Sequence, residues 1–170
     1  DFTMHEFKLN NGAVLEKGCV YVIPLQESLS LGKEISGVAN PKSSTGRLDI
    51  FTRIISDYAA EFDRINTGYK GALFAEISPL TFSVKVQTGT TLNQLRLCRG
   101  SPPPFEITMR RLHEKKPLIT AKDKNKADIT KTGVAFTVDL VGESDDGLVG
   151  YKAKRHADVI DVEKESHYDI

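Results

Sequence analysis

The clearest pattern along the chain is a series of short apolar runs broken by turn residues. Cys19 to Ile23 is a dense apolar run of strand length, which Pro24 either ends or moves to a sheet edge. Further runs follow at Ser28 to Leu31, Ile35 to Val38, Ala72 to Ile77, Phe82 to Val86 and Leu92 to Cys98. Several alternate with period two: Phe82, Val84 and Val86 share one face while Ser83, Lys85 and Gln87 share the other. Gly68, Gly71, Gly89 and Gly100 space the runs as an antiparallel sandwich or barrel requires.

One segment reads differently. Phe51, Ile54, Ile55, Tyr58 and Phe62 fall at helical spacing, with Asp49 or Ser44 available as a cap, so a helix is expected between two β runs. The isoleucine pair and Thr52 leave a strand as the alternative. Ser101-Pro102-Pro103-Pro104 cannot occupy a central strand and reads as an extended connector. Beyond it, Arg110 to Lys131 reads as solvated surface or loop. Gly133 to Val141 returns to alternation with Val134, Phe136, Val138 and Leu140 on one face, and Glu143 to Ile170 reads as a charged linker or an arm that needs a partner to order it. The expected division is a β domain over 1–100, followed by a connector, one more strand and the arm over 101–170.

At 170 residues with 39% hydrophobic residues, the chain is large and apolar enough for a globular core. Its 23 basic and 23 acidic residues balance, whereas a binder of polymeric nucleic acid normally carries a basic excess. No apolar run reaches membrane-spanning length and no secretory leader is visible, so the cytoplasm is the expected compartment. Cys19 and Cys98 are expected as free buried thiols. The absence of Met at position 1 suggests an excised or processed segment.

Three clusters could carry chemistry. Lys42-Ser43-Ser44-Thr45-Gly46-Arg47 puts hydroxyls and a glycine between two cations, a combination that suits an anion but also suits a plain capped turn. Arg64 to Ile77 holds a tight Thr67-Gly68-Tyr69-Lys70-Gly71 turn, then a strand on which Glu76 shares a face with Ala72 and Phe74. If that face lines a dry pocket, desolvation suits Glu76 to general acid–base work; otherwise it is an exposed strand carboxylate. In Gly89 to Arg96, Gln94 could bond a base edge or a phosphate, or be ordinary sheet surface.

The order and spacing of these clusters resemble the dCTP deaminase and dUTPase superfamily over roughly residues 12 to 98. The Lys42 to Arg47 segment is similar to its Arg-Ser-Ser phosphate motif, with Lys leading. Arg64 to Gly71 is similar to its aromatic-x-Gly motif, and Gly89 to Leu95 to its Gly-x-x-x-x-Gln-Leu strand. The resemblance implies an all-β, mainly antiparallel fold, a distorted jelly-roll or barrel with few short helices. It implies a trimer, or a pseudo-symmetric assembly with a second homologous domain if the chain is the N-terminal half of a tandem form.

It also implies chemistry. Glu76 stands where the deaminase branch carries its catalytic carboxylate, and Arg47 resembles the arginine that orients base and water beside it. Lys42, Ser43 and Ser44 would contact phosphates, Arg64 and Asn66 base or sugar, Tyr69 the underside of the deoxyribose, and Gln94 the nucleotide. Deamination of dCTP to dUTP is the expected activity. Mg²⁺ would arrive on the triphosphate, and no zinc is expected because His-x-Glu with Pro-Cys-x-x-Cys is missing. A dUTP diphosphatase or bifunctional enzyme is the alternative, but it calls for a carboxylate base where this chain has the amide of Asn66. A second alternative is a non-catalytic half serving assembly or nucleotide sensing.

Overall fold

A computed structural model describes residues 6–9, 12–100, 105–120, 128–131, 133–138, 140–141, 147–154 and 158–164. The path packs as two units, one formed by residues 1–100 and 153–170 and the other by 101–152. The first unit is built almost entirely of strands. In chain order these are β1 (Ala13–Leu15), β2 (Tyr21–Ser30), β3 (Ile35–Pro41), the short helix α1 (Ser43–Arg47), β4 (Ile50–Ser56), β5 (Arg64–Ile65), β6 (Lys70–Pro79), β7 (Val84–Val86) and β8 (Asn93–Arg99). The helix α2 (Phe105–Lys115) belongs to the second unit, and β9 (Ile160–Asp161) returns to the first.

The strands form three sheets, ordered β1-β7-β9, β2-β6-β4 and β5-β3-β8. Every pairing is antiparallel except β7 with β9. The expected all-β class is therefore observed. Period-two alternation explains which faces meet: Leu73, Ala75 and Ile77 of β6, Ile50 and Ile54 of β4, and Phe82, Val84 and Val86 are all buried in one core. Pro24 lies inside β2, which is an edge strand, and the register slips between Pro24 and Ser28. A missing N–H is tolerated there because, among the described residues, no further strand pairs on the outer side.

The helix expected around residues 51–62 is instead β4. Its inward face is Ile50, Thr52, Ile54 and Ser56, all buried, while Phe51 is exposed and Arg53 and Ile55 are half-buried. Two small hydroxyl residues on the inward face hide the alternation from a hydrophobicity reading. Thr52 enters the core because its hydroxyl donates to Asn93 Oδ1 at 2.9 Å. Neither Asp49 nor Ser44 caps a helix here. Asp49 sits at φ 53° ahead of β4 and accepts the Thr81 hydroxyl at 2.6 Å, and Ser44 lies inside α1.

The later chain also differs in part from expectation. Of the stretch from Arg110 to Lys131, residues 110–115 are the end of α2, a helix with no buried residue, where Arg110 bonds Glu106 four residues back and donates to the Ile129 carbonyl at 2.6 Å. The alternation over 133–141 makes no strand among the described residues. Val134 forms a single bridge with Ile129, and Phe136, Val138 and Leu140 are exposed. The arm is not uniformly solvated, since Ile160 is fully buried beside Val84. The Ser101 to Pro104 connector lies outside the described residues. Cys19 and Cys98 are free, but Cys19 is exposed and Cys98 half-buried.

Ile160 is the anchor of the returning segment. Truncation to Ala is expected to destabilise the first unit by about 3 kcal/mol, as for other buried aliphatic deletions. Urea denaturation with an unchanged m-value checks this.

Candidate functional site

The site begins with strand parity on β6. Because Leu73, Ala75 and Ile77 face the core, Glu76 must face outward with Ala72 and Phe74. The register then fixes its neighbours: Glu76 lies directly across from Val22 of β2 on one side and Arg53 of β4 on the other. Arg53 Nη2 donates to Glu76 Oε1 at 2.6 Å and to Oε2 at 2.8 Å. Outward does not mean solvated, as the Glu76 side chain is only 17% exposed and that of Arg53 31%. The guanidinium carbon of Arg53 stands 3.6 Å from the Phe62 ring centroid and 5.0 Å from that of Phe51. Cation–π attraction and the carboxylate thus hold the same group from different sides.

A turn and a glycine set the start of β6. The Tyr69 N–H bonds the Asn66 carbonyl at 3.1 Å, closing a turn in which Gly68 takes φ 73°. The Tyr69 ring then folds back over Gly71, and a Cβ on Gly71 would lie only 2.7 Å from the Tyr69 hydroxyl. That hydroxyl donates to the Ala72 carbonyl at 2.5 Å and accepts the Asp57 N–H at 3.2 Å. Close packing of an aromatic on a glycine is the physical content of the aromatic-x-Gly pattern. Arg64 is exposed and pairs with Glu61 at 3.6 Å; Asn66 is also exposed.

The other two clusters meet each other. Antiparallel pairing of β3 with β8 sets Asn40 against Gln94 and Pro41 against Asn93. Lys42 Nζ donates to Thr91 Oγ1 at 2.7 Å, and the buried Thr45 hydroxyl donates to the Leu92 carbonyl at 2.9 Å. Gln94 Nε2 reaches the Pro41 carbonyl at 3.4 Å. Ser43 and Ser44 remain exposed, and Arg47 contacts Ser43 Oγ at 3.4 Å. Among the described residues no hydrogen bond or ion pair joins Glu76 to the segment from Lys42 to Arg47. A cleft of about 400 Å³ opens between β2 and β8; Thr91, Asn93 and Gln94 line it with apolar residues such as Ile23, Leu29 and Ala75. Glu76 is on the opposite face of β6 from that cleft.

Known proteins place this arrangement. Residues 1–101 match the family model for the 2'-deoxycytidine 5'-triphosphate deaminase N-terminal domain, and residues 106–170 match the model for its C-terminal domain. The chain belongs to the 2'-deoxycytidine 5'-triphosphate deaminase family. A crystal structure of 2'-deoxycytidine 5'-triphosphate deaminase from Agrobacterium tumefaciens is 47% identical, with a TM-score of 0.80. That match covers 98% of this chain and 49% of the other, so the chain spans about half the length of that deaminase. Comparison with curated proteins yields no significant match. The likeness to the deaminase family extends beyond the residues 12 to 98 that carried the sequence resemblance.

Arg53 is the partner of Glu76 that the sequence alone did not reveal. The arginine expected beside Glu76 was Arg47, from its place in the phosphate motif. Arg53 was hidden inside a segment read as helical, and its link to Glu76 is a cross-strand register that one sequence does not display. Among the described residues no three His, Cys, Asp or Glu side chains cluster as a metal site, so none of them is assigned as a metal ligand. No described helix is long and apolar enough to cross a membrane.

Gly71→Ala is expected to cost about 1–3 kcal/mol by forcing the Tyr69 hydroxyl away. The same change in a Tyr69→Phe background should cost less, because the nearest clashing atom is gone. A double-mutant cycle in urea measures that difference.

Proposed function

We propose that this chain carries a nucleotide site for hydrolytic deamination of dCTP to dUTP and ammonia, with Glu76 as the catalytic carboxylate. One observation carries the reading: a carboxylate sheltered on the outer face of a sheet, with charge-assisted bonds to both its oxygens, in a chain whose residues 1–101 match the deaminase family's N-terminal domain. Water adds to C4 of the cytosine ring as Glu76 takes a proton from it. That proton passes to the amino nitrogen, the C4–N bond breaks, and ammonia leaves. The second water proton ends on N3, and the oxygen stays as the 4-carbonyl of dUTP. Fixed charges around the carbon must stabilise the addition, because no zinc is invoked to activate the water.

The binding roles follow from position. Lys42, Ser43 and Ser44 meet the triphosphate, with Mg²⁺ entering as part of that substrate. Arg64 and Asn66 hold base or sugar, Tyr69 backs the deoxyribose, Gln94 contacts the nucleotide, and Arg47 orients base and water. Glu76 and the Lys42 to Arg47 segment are not bonded within one chain, which supports a pocket completed by a neighbouring copy in a homotrimer or by a second homologous domain. The tandem form, in which this chain is the N-terminal half and the second half supplies the lid over the nucleotide, fits that arrangement. The enzyme would work in the cytoplasm on free nucleotides and would not bind polymeric nucleic acid.

A second reading draws on the same ion pair. With both Glu76 oxygens held by Arg53, this half could serve assembly or nucleotide sensing while another half performs the reaction. Diphosphatase activity is disfavoured by the amide of Asn66. Ammonia and pyrophosphate release from dCTP and from dUTP separates these readings in the complete protein. Ammonia from dCTP without pyrophosphate from dUTP is expected. Glu76→Gln should lower kcat by roughly 10³-fold while dCTP still binds, in line with loss of a general acid–base group. Undiminished turnover in that variant would favour the sensing half.

A further inference from the structure

We infer that Arg53 is the positioning residue for Glu76, an inference that rests on the deamination reading above. A glutamate on an open sheet face has several rotamers within reach, and only one aims its carboxylate at a given point. Here the carboxylate is fixed by a partner that is itself fixed. Arg53 lies directly across the β4–β6 ladder, and its guanidinium is set against Phe62 at 3.6 Å and Phe51 at 5.0 Å.

The form of the contact matters. A single nitrogen, Nη2, spans both carboxylate oxygens at 2.6 and 2.8 Å. Each ionised oxygen has about two acceptor sites, so this grip leaves each able to accept from a water. The carboxylate is held without being saturated. Nε of Arg53 is buried and has no acceptor among the described residues. Arginine suits the task because it stays charged and lies flat on aromatic rings, which lysine does not. On this reading Arg53 aims Glu76 at the water.

The test is steady-state ammonia release from dCTP by the complete protein, with thermal unfolding measured beside it. For Arg53→Gln the expected result is a fall in kcat of roughly 100-fold, the scale of a misaligned acid–base group, with KM within about threefold. The unfolding midpoint should stay within a few degrees of the parent. Arg53→Lys should recover about a tenth of the parental kcat or more, since it restores the charge without the flat, spanning geometry. Parental kcat in Arg53→Gln overturns the inference. So does a rise in KM alone, or a loss of activity that follows a collapsed midpoint in both variants. Glu76→Gln separates the two layers. If it keeps parental turnover, the deamination reading of Glu76 fails whatever Arg53 does; if it is inactive while Arg53→Gln is not, only the role of Arg53 fails.

Discussion

The proposed chemistry depends on a carboxylate placed where a sheet would otherwise be greasy. Glu76 is flanked by Val22 across one ladder, and across the other by Arg53, which lies against Phe51 and Phe62. An isolated charge in such surroundings loses hydration and gains nothing in return. The guanidinium of Arg53 offsets that loss, and the aromatic rings offset part of its own. The arrangement needs three strands in fixed register, because a slip of one residue in β4 would turn Arg53 into the core and Thr52 out of it. The core and the site are therefore specified by the same alternation, one on each face.

That alternation also explains how much could be read from the amino-acid order. Ile77, Ala75 and Leu73 alternate with Glu76 and Phe74, so parity alone put Glu76 on the face opposite the three aliphatic residues, and the structure shows which of the two faces is the core. The Phe82, Val84 and Val86 face was equally plain, and all three are buried. β4 was not plain. Its inward positions include Thr52 and Ser56, whose hydroxyls make the buried face look polar, while Phe51 and Ile55 on the outer face look apolar. Tertiary partners decided that segment: Asn93 accepts from Thr52, and Asp63 at φ 59° accepts the Ile54 N–H at 2.8 Å.

The candidate residues divide in the same way. Motif order found the Lys42 to Arg47 segment, the Tyr69-x-Gly71 turn and the strand of Gln94. The pairing of β3 with β8 then brings the first and third together. What motif order lacks is any measure of which strand lies beside which, and so Arg53 was invisible beside Glu76. Local chemistry sits in the sequence as short words, whereas the juxtaposition of strands distant in the chain is set by the whole core.

The two-residue strand β9 adds a topological point. Residues 153–170 pack with the first unit, although they follow the whole of 101–152 and fall within the stretch that matches the C-terminal family domain. Ile160 fills a socket beside Val84, and its N–H bonds the Ser83 carbonyl at 3.0 Å. Homology and compactness thus draw their borders at different places. A chimaera joined at residue 101 would import a foreign plug for that socket, so the seam chosen from family boundaries would cut through a packed interior.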